Sequence, residues 1–584
     1  MESIVKESEE FTGSNKGSNP KSRFMNLEGG LFYISEKKDD DDNSNGQKYI
    51  RVSAPIEVYA DTRDPDSESW GRLLKWKDMD GVEHSWTCPN ELIEIDPREI
   101  RRKLVSGGLY ISAEQGAAGL LMTYLKIQPA KKKLRVVNKL GWHKDTFVRP
   151  DRNFSSEKDE EVIFNNKYNV QLDYQASGNL SKWSRTVGRL SNNNRLLMFV
   201  ISSAAAAPLL EMIGMEGGGF HIRGSSGTGK TTLLKVAASF WGSPDQFVRT
   251  WRTTSNALEG TAAMHNDSIL LLDELSQVSA DQLAESAYML SNGQGKGRAT
   301  KEGLIRKSLK WRLLFLSSGE VSLTNMLDEI RKRVNPGQEI RMADISVMSE
   351  KNNGVFENLN GCKNYAELAE KLSELSNQYY GSAGVEWLEI LVKNKSAISS
   401  EIKGRLEQFI ELANVEDAPS QIRRVARRFG LVAAAGELLI EHKITPWAKW
   451  SAKNAAIYCF EKWKEGFGEK NKEEENILQQ IRHFFEKNGA SRFDFRKDPE
   501  SWRILNRAGF IDENEDGSKK YMVFPNVFKK DVAEGLDHQY TLKILSEKGW
   551  LDTGEQKGRY TKKVRIPRVG TSNFYVFNSS IWEE

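Results

Sequence analysis

Three things are scarce in this chain, and each scarcity excludes something. There are three cysteines in 584 residues, Cys88, Cys362 and Cys459, far apart and without a CxxC pair. That argues against a disulfide framework or a cysteine zinc site and suits a reducing cytoplasm. Long apolar runs are missing as well. The most membrane-like stretch, "LLMFVISSAAAAPLL", is too short to span a bilayer, carries Ser203 and Pro208, and runs into Glu211. It predicts a buried core helix and no membrane partner. The amino-terminal "MESIVKESEEFTGSNKGSNPKS" has no apolar segment, so no signal peptide is expected and the predicted location is cytoplasmic. Charge imbalance is the third absence. Lys plus Arg number 84 against 81 Asp plus Glu, a net charge of +3, so any nucleic-acid surface must be local. There is no internal repeat.

Apolar residues are 39% and aromatics 10% of the chain, enough for several cores and three or four domains. Residues 1–22 are polar and predict a disordered tail. "EKKDDDDNSNGQK" predicts a solvated loop, because it buries too little apolar surface to offset ordering. Residues 23–165 read as a β-rich domain of short alternating runs, with "DMDG" as a hairpin turn. From 183 to 346 strands and helices alternate, which predicts an α/β domain on a mainly parallel sheet. Residues 347–465 read as helices. After "EKNKEEEN", residues 472–584 read as two helices followed by the strands "KKVRIP" and "NFYVF".

The stretch "FHIRGSSGTGKTTLLKVAASF" carries the chemistry. Gly224, Ser225, Ser226, Gly227, Thr228, Gly229, Lys230 and Thr231, followed by Thr232, fit G-x-x-x-x-G-K-[ST] between a strand and a helix. In such a loop the backbone N–H groups curl around phosphates and the helix turns its positive end toward them. Lys230 then reaches the β- and γ-phosphates, and the Thr231 hydroxyl binds Mg²⁺, so the expected cofactors are ATP and Mg²⁺. Roughly forty residues on, "SILLLDE" reads as a central strand ending in two acids. Asp273 is expected to hold Mg²⁺ through water and Glu274 to act as general base. The adjacent acids favour a hydrolysing ATPase over a small-molecule kinase.

A third strand, "WRLLFLSSGE", ends in Ser317 and Ser318. Ser318 is the favoured contact to the γ-phosphate or lytic water, the sensor-1 role; a strand merely capped by a Ser-Gly turn is the alternative. Arg333 and Arg341 are candidates to reach a neighbouring subunit's γ-phosphate, against ordinary surface ion pairs. Arg424 and Arg428, four apart on a helix, are candidates for the lid arginine, or sensor 2, of AAA+ ATPases. Between Glu274 and the third strand, "GRATKEGLIRK" reads as a hairpin turning at Lys301, Glu302 and Gly303. Lys296, Arg298, Lys301, Arg306 and Lys307 make it basic, suited to DNA phosphates, with a solvated loop as the alternative. A second basic run, "KGRYTKKVRIPR", follows the helix "DHQYTLKILSEKGWL" in the manner of a winged helix, a form that binds DNA or protein.

These motifs, with "TWRTTSNALEGTAAMHNDSILLLDEL", "AYMLSNGQGKGRAT", "GQEIRMADI" and "RRVARRFGLVAAAGEL", resemble an AAA+ family of phages and mobile genomic islands. That family was long catalogued as a bacterial domain of unknown function with helicase-like annotation, and it includes MCM-like helicases of cassette chromosomes. "APIEVYADTRDPDSESWGRLLKW" and "LGWH" extend the likeness over about residues 50–460. The resemblance implies a multidomain protein: a β-rich N-terminal domain, a P-loop AAA+ core with a helical lid, and a winged-helix-like C-terminal domain. It also implies a hexameric, self-loading replicative helicase acting on single-stranded and forked DNA, with an element-encoded primase or polymerase as a plausible partner. Lys230, Thr231, Asp273 and Glu274 fit the family's motif; the serine at sensor 1 departs from the asparagine of MCM proteins. The alternative function is an AAA+ loader or remodeller without helicase activity.

Overall fold

The computed structural model describes residues 23–37, 46–156, 160–165, 174–275, 278–299, 305–306, 308–322, 326, 340–347, 354–467, 472–497, 504, 506–513, 517–552 and 560–582. The described residues fall into two compact units, one up to Phe460 and one from Glu461 onward.

The first unit opens with an antiparallel sheet of β1 (Phe24–Leu27), β2 (Gly30–Lys37) and β3 (Gly46–Ser53). A second, five-stranded sheet holds β4 (Ile56–Arg63), β5 (Trp70–Lys77), β6 (Glu83–Pro89), β7 (Lys132–Val137) and β11 (Val162–Phe164). The small strands β8 (Gly141–His143), β9 (Thr146–Val148) and β10 (Asn153–Phe154) form a third sheet. In β4 buried and half-buried residues alternate, as one covered face requires. The "DMDG" turn closes β5 onto β6 because Asp78 Oδ1 accepts from the N–H groups of Asp80 and Val82, each at 2.9 Å. This region is less purely β than the sequence suggests. Helices Pro97–Ser106 and Ala117–Ile127 pack Ile100, Leu104, Leu121 and Leu125 into the same core as Leu31, Val52 and Leu74, and helix Asn90–Ile95 lays the half-buried Leu92 and Ile93 against it.

The centre of the unit is a five-stranded sheet. Its strands are β12 (Gly218–Arg223), β13 (Val248–Thr250), β14 (Ile269–Asp273), β17 (Leu314–Gly319) and β18 (Met342–Ser346), in the order β13-β14-β17-β12-β18. Every pairing is parallel, as expected for alternating strands and helices. Its central strands are covered on both faces, and Leu270, Leu271, Phe315 and Phe220 are fully buried, whereas the edge strand β13 is half-buried to exposed. The "LLMFVISSAAAAPLL" stretch forms helix Arg195–Ala206, buried along its length from Leu196. It packs on the helix Ser420–Glu441 through a cluster of Phe199, Phe220 and Phe429 rings. The β8–β9 hairpin is fastened to this core: Trp142 donates its backbone N–H to Asp267 Oδ2 (3.0 Å) and its indole N–H to Pro208 O (2.8 Å).

The second unit pairs helix Lys472–Asn488 and helix His538–Glu547 with a sheet in the order β19-β20-β21-β23-β22. Its strands are β19 (Phe493–Phe495), β20 (Gly509–Glu513), β21 (Lys519–Val523), β22 (Lys562–Ile566) and β23 (Gly570–Phe577). Ile481, Phe485, Phe493, Tyr521 and Phe577 form its core. The sequence reading placed both helices and the β22–β23 pair but missed β19 to β21.

Candidate nucleotide site and basic hairpin

Parallel strands point their carboxyl ends to one rim, and register decides what meets there. Ile222 lies opposite Ser318, Leu272 opposite Ser317, and Thr250 opposite Asp273. The loop leaving β12 therefore faces the last residues of β14 and β17. Gly227 (φ +75°) and Gly229 (φ +92°) supply the left-handed turns of that loop. Helix Lys230–Ser239 then begins, and its N-cap Gly229 offers no side-chain acceptor to the first N–H groups, which suits an anion. The Lys230 ammonium donates to the carbonyls of Gly224 and Ser225, both at 2.7 Å. Burial pushes its pKa below the ordinary lysine value, against the pull of the Glu320 and Asp273 carboxylates.

Four of the expected residues come together. Thr231 Oγ1 donates to Asp273 Oδ2 at 3.0 Å. Ser318 donates to Asp273 Oδ1. Glu274 donates its backbone N–H to the same oxygen at 3.0 Å. Its φ of +60° is unusual for a side-chain-bearing residue, and its carboxylate is exposed. A hydroxyl beside a carboxylate is a hard-oxygen donor set of the kind Mg²⁺ takes, so the residues present fit the metal, as the loop fits a triphosphate. Segment 354–356 lies over the loop: Val355 N–H donates to Thr228 O at 3.0 Å, and a Cβ on Gly229 would meet Val355 and Phe356 within 2.9 Å.

The two serines of β17 divide. Ser318 turns to Asp273, whereas Ser317 is fully buried beneath the rim. There it accepts from Trp251 Nε1 (2.9 Å) and lies 3.0 Å from His221 Nδ1.

The arginines lie elsewhere. Arg341 precedes β18 at the amino-terminal end of the sheet, stacked over the Tyr288 ring at 4.4 Å. A five-residue strand separates it from the nucleotide rim, roughly 17 Å. Arg424 pairs with Glu216, which precedes β12 on that same side. Arg428 is buried against the carbonyls of Gly219, Ile340 and Arg341, and burial lowers its pKa to about 10. The structure thus does not bring Arg341 or Arg424 to the 224–229 loop of their own chain. Arg333 lies outside the described residues.

Of the expected basic hairpin the structure describes the two strands; its expected turn at residues 301–303 lies outside the described residues. Strands β15 (Arg298–Ala299) and β16 (Ile305–Arg306) pair antiparallel, Arg298 opposite Arg306. Their stem continues in Gly295 N–H to Leu309 O (2.9 Å) and Trp311 N–H to Gly293 O (2.8 Å). Lys296 sits at its base, paired with Glu285 at 2.7 Å, and its N–H donates to Glu259 at 3.2 Å. Lys301 and Lys307 fall outside the described residues.

Sequence reasoning missed Glu320, whose charge acts on Lys230. It also missed the ion pair Arg223–Asp344 at 2.9 Å beside the loop, and His221. A signal for the last was present: a histidine inside an otherwise apolar central strand.

Residues 24–310 match the model of a family described as a domain of unknown function, DUF927. No curated protein sequence matches the chain. In three dimensions the chain resembles the solved structure of SCCmec type IV Cch, described as an active helicase. The TM-score is 0.69 over 97% of this chain and 98% of that one, at 18% identity, a likeness that establishes the fold. Two structures of the NrS-1 C-terminal region align with TM-scores of 0.26 and 0.22 at 11% and 10% identity, covering 66% and 70% of this chain and 88% and 91% of those; these are too low to imply a shared fold. Among the described residues no helix is long and apolar enough to cross a membrane.

Proposed function

We propose that the chain is an ATP-dependent DNA helicase of MCM-like, self-loading type, working as a ring, probed best as the replicative motor of a mobile element or phage. The observation that carries this reading is the joining of Lys230, Thr231, Asp273 and Ser318 at one rim, on a sheet whose next insertion is a basic hairpin. The fold shared with Cch supports it.

Bound Mg²⁺ and ATP supply the electrophile, a γ-phosphate whose charge the metal offsets. The chain's own residues do the rest. The loop 224–229 and Lys230 hold the phosphates, Thr231 and Asp273 orient the metal, and Ser318 fixes the Asp273 carboxylate. Glu274, exposed at its left-handed backbone position, takes the proton of the attacking water. Arg333 and Arg341 act from a neighbouring subunit, and the position of Arg341 far from its own loop favours action in trans. The hairpin bearing Lys296, Arg298, Lys301, Arg306 and Lys307 grips the strand through phosphates. The segments 183–346, 347–465 and 472–584 serve as AAA+ core, lid and winged-helix-like end.

The test is displacement of a strand from a forked duplex with ATP and Mg²⁺, beside Lys230→Ala. Displacement by the unaltered protein alone is expected. ATP hydrolysis and ring formation without displacement would return the assignment to a loader or remodeller.

A further inference from the structure

Beneath the nucleotide rim runs a chain of buried polar groups outside the roles assigned above. Trp251 follows β13, His221 lies within β12, Ser317 within β17, and Val321 just beyond β17. Trp251, His221 and Ser317 are essentially fully buried. An indole N–H can only donate, so Ser317 Oγ accepts from Trp251 Nε1 at 2.9 Å. Its single proton is then free for His221 Nδ1, 3.0 Å away. His221 Nδ1 is thereby an acceptor, its proton sits on Nε2, and Nε2 donates to Val321 O at 3.0 Å. One tautomer satisfies every group. Burial favours that neutral ring, holding its pKa below the ordinary histidine value.

The ring also sits where three loops of the site converge. Gly319 packs against it so closely that a Cβ there would meet His221 Cε1 at 3.0 Å and Leu275 Cβ at 2.9 Å. Leu275 directly follows Glu274. The Gly319 carbonyl accepts from Gly224 N–H, the first residue of the P-loop, at 3.2 Å. Between Gly319 and Val321 stands Glu320, whose charge acts on Lys230.

We propose that the Trp251–Ser317–His221–Val321 chain is a positioning device for nucleotide hydrolysis. It locks the turn 319–321, and so fixes Ser318 against Asp273 and Glu320 toward Lys230. His221 and Ser317 are positioning residues that touch no phosphate, so their effect belongs to turnover and not to nucleotide binding. The inference rests on the ATPase reading above.

The experiment measures steady-state ATPase together with the affinity for a fluorescent ADP analogue, in the full chain. Ser317→Ala is the primary variant, since it removes only one hydroxyl from a packed strand. Its expected result is a kcat lowered roughly tenfold with analogue affinity within about twofold. His221→Leu is expected to match it, and the double variant to be no worse than either single one, because both break one chain. His221→Gln, whose amide can accept and donate, is expected to recover most of the lost turnover. A Ser317→Ala protein with unchanged kcat, or with kcat and affinity falling together, would overturn the inference while leaving the ATPase reading intact. An unaltered protein without ATPase activity would overturn both.

Discussion

The two rims of the central sheet are built on different principles. At the carboxyl rim the polar side chains bond to one another: Thr231 and the buried Ser318 to the half-buried Asp273, with Glu274 exposed beside them. At the amino rim they are buried and spoken for. Asp267, 1% exposed, accepts from Arg312 Nε (2.8 Å), Trp142 N–H (3.0 Å) and Asn266 Nδ2 (2.8 Å), and Arg428 is packed into backbone carbonyls. A buried carboxylate held by a guanidinium, a backbone N–H and an amide is committed to the protein, whereas one that accepts from two hydroxyls and one backbone N–H can exchange a hydroxyl for a metal. Charge alone does not mark a site. What marks it is which partners a ligand can replace.

The comparison is broken most forcefully at the carboxyl rim. Glu274→Gln is expected to lower ATPase kcat by about 10²–10⁴-fold, the usual worth of a positioned base, with ATP binding retained. Quenched-flow hydrolysis beside equilibrium binding of an ATP analogue checks it, and full turnover would remove Glu274 from the role.

At the amino rim the effect should be on stability instead. Asp267→Ala strips three donors of their acceptor and leaves Arg312 without its buried partner, a change that costs about 3–5 kcal/mol. The urea midpoint should fall accordingly. Because this residue fastens the β8–β9 hairpin to the base of β14, the loss should come with faster proteolysis of the N-terminal region. An Asp267→Ala protein of ordinary stability but without ATPase activity would reverse the roles given to the two rims.

A third prediction concerns His265, buried near that rim, whose pKa burial lowers from 6.5 to about 4. Below pH 6.5 the unfolded chain takes up a proton that the folded chain refuses. Stability is therefore complete above that pH and is lost as pH falls toward 4. That difference corresponds to on the order of 3 kcal/mol. Urea titrations at pH 7 and 4.5 measure it, with a variant lacking His265 as the reference for a flatter profile.

The contrast also explains what could be read from the sequence alone. The glycine-rich 224–229 turn between a strand and a helix, and the strand ending at Asp273, were legible because both are local, a spacing and a strand end. Of the two serines Ser318 was the favoured one, but nothing local fixed the choice, because neighbours on a strand point to opposite faces and their partners depend on sheet order. Only the placement of β17 between β14 and β12 sends Ser318 to Asp273 and Ser317 to His221. Arg424 and Arg428 were legible as a basic helix face, but which rim that face meets is a tertiary fact. In the second unit β19 and β20 read "FDF" and "GFIDE", too short and too charged to announce themselves as strands.

The smallest expected effect sharpens the comparison at the hairpin. Lys296 is exposed and pairs with an equally exposed Glu285 at 2.7 Å, whereas its backbone is anchored to the buried Glu259. An exposed pair of this kind is worth under about 1 kcal/mol, so DNA phosphate can displace the carboxylate. Removing the competitor should therefore help. Glu285→Gln is expected to tighten single-stranded DNA binding roughly two- to fivefold at low salt, with the gain fading as salt screens the contact. Fluorescence anisotropy with a labelled oligonucleotide across a salt series reads both. Lys296→Ala should move affinity the opposite way and flatten the salt slope by about one contact. If neither change alters binding, the base of the hairpin behaves like the amino rim, a partnered structural charge, and the DNA surface begins further out along β15 and β16.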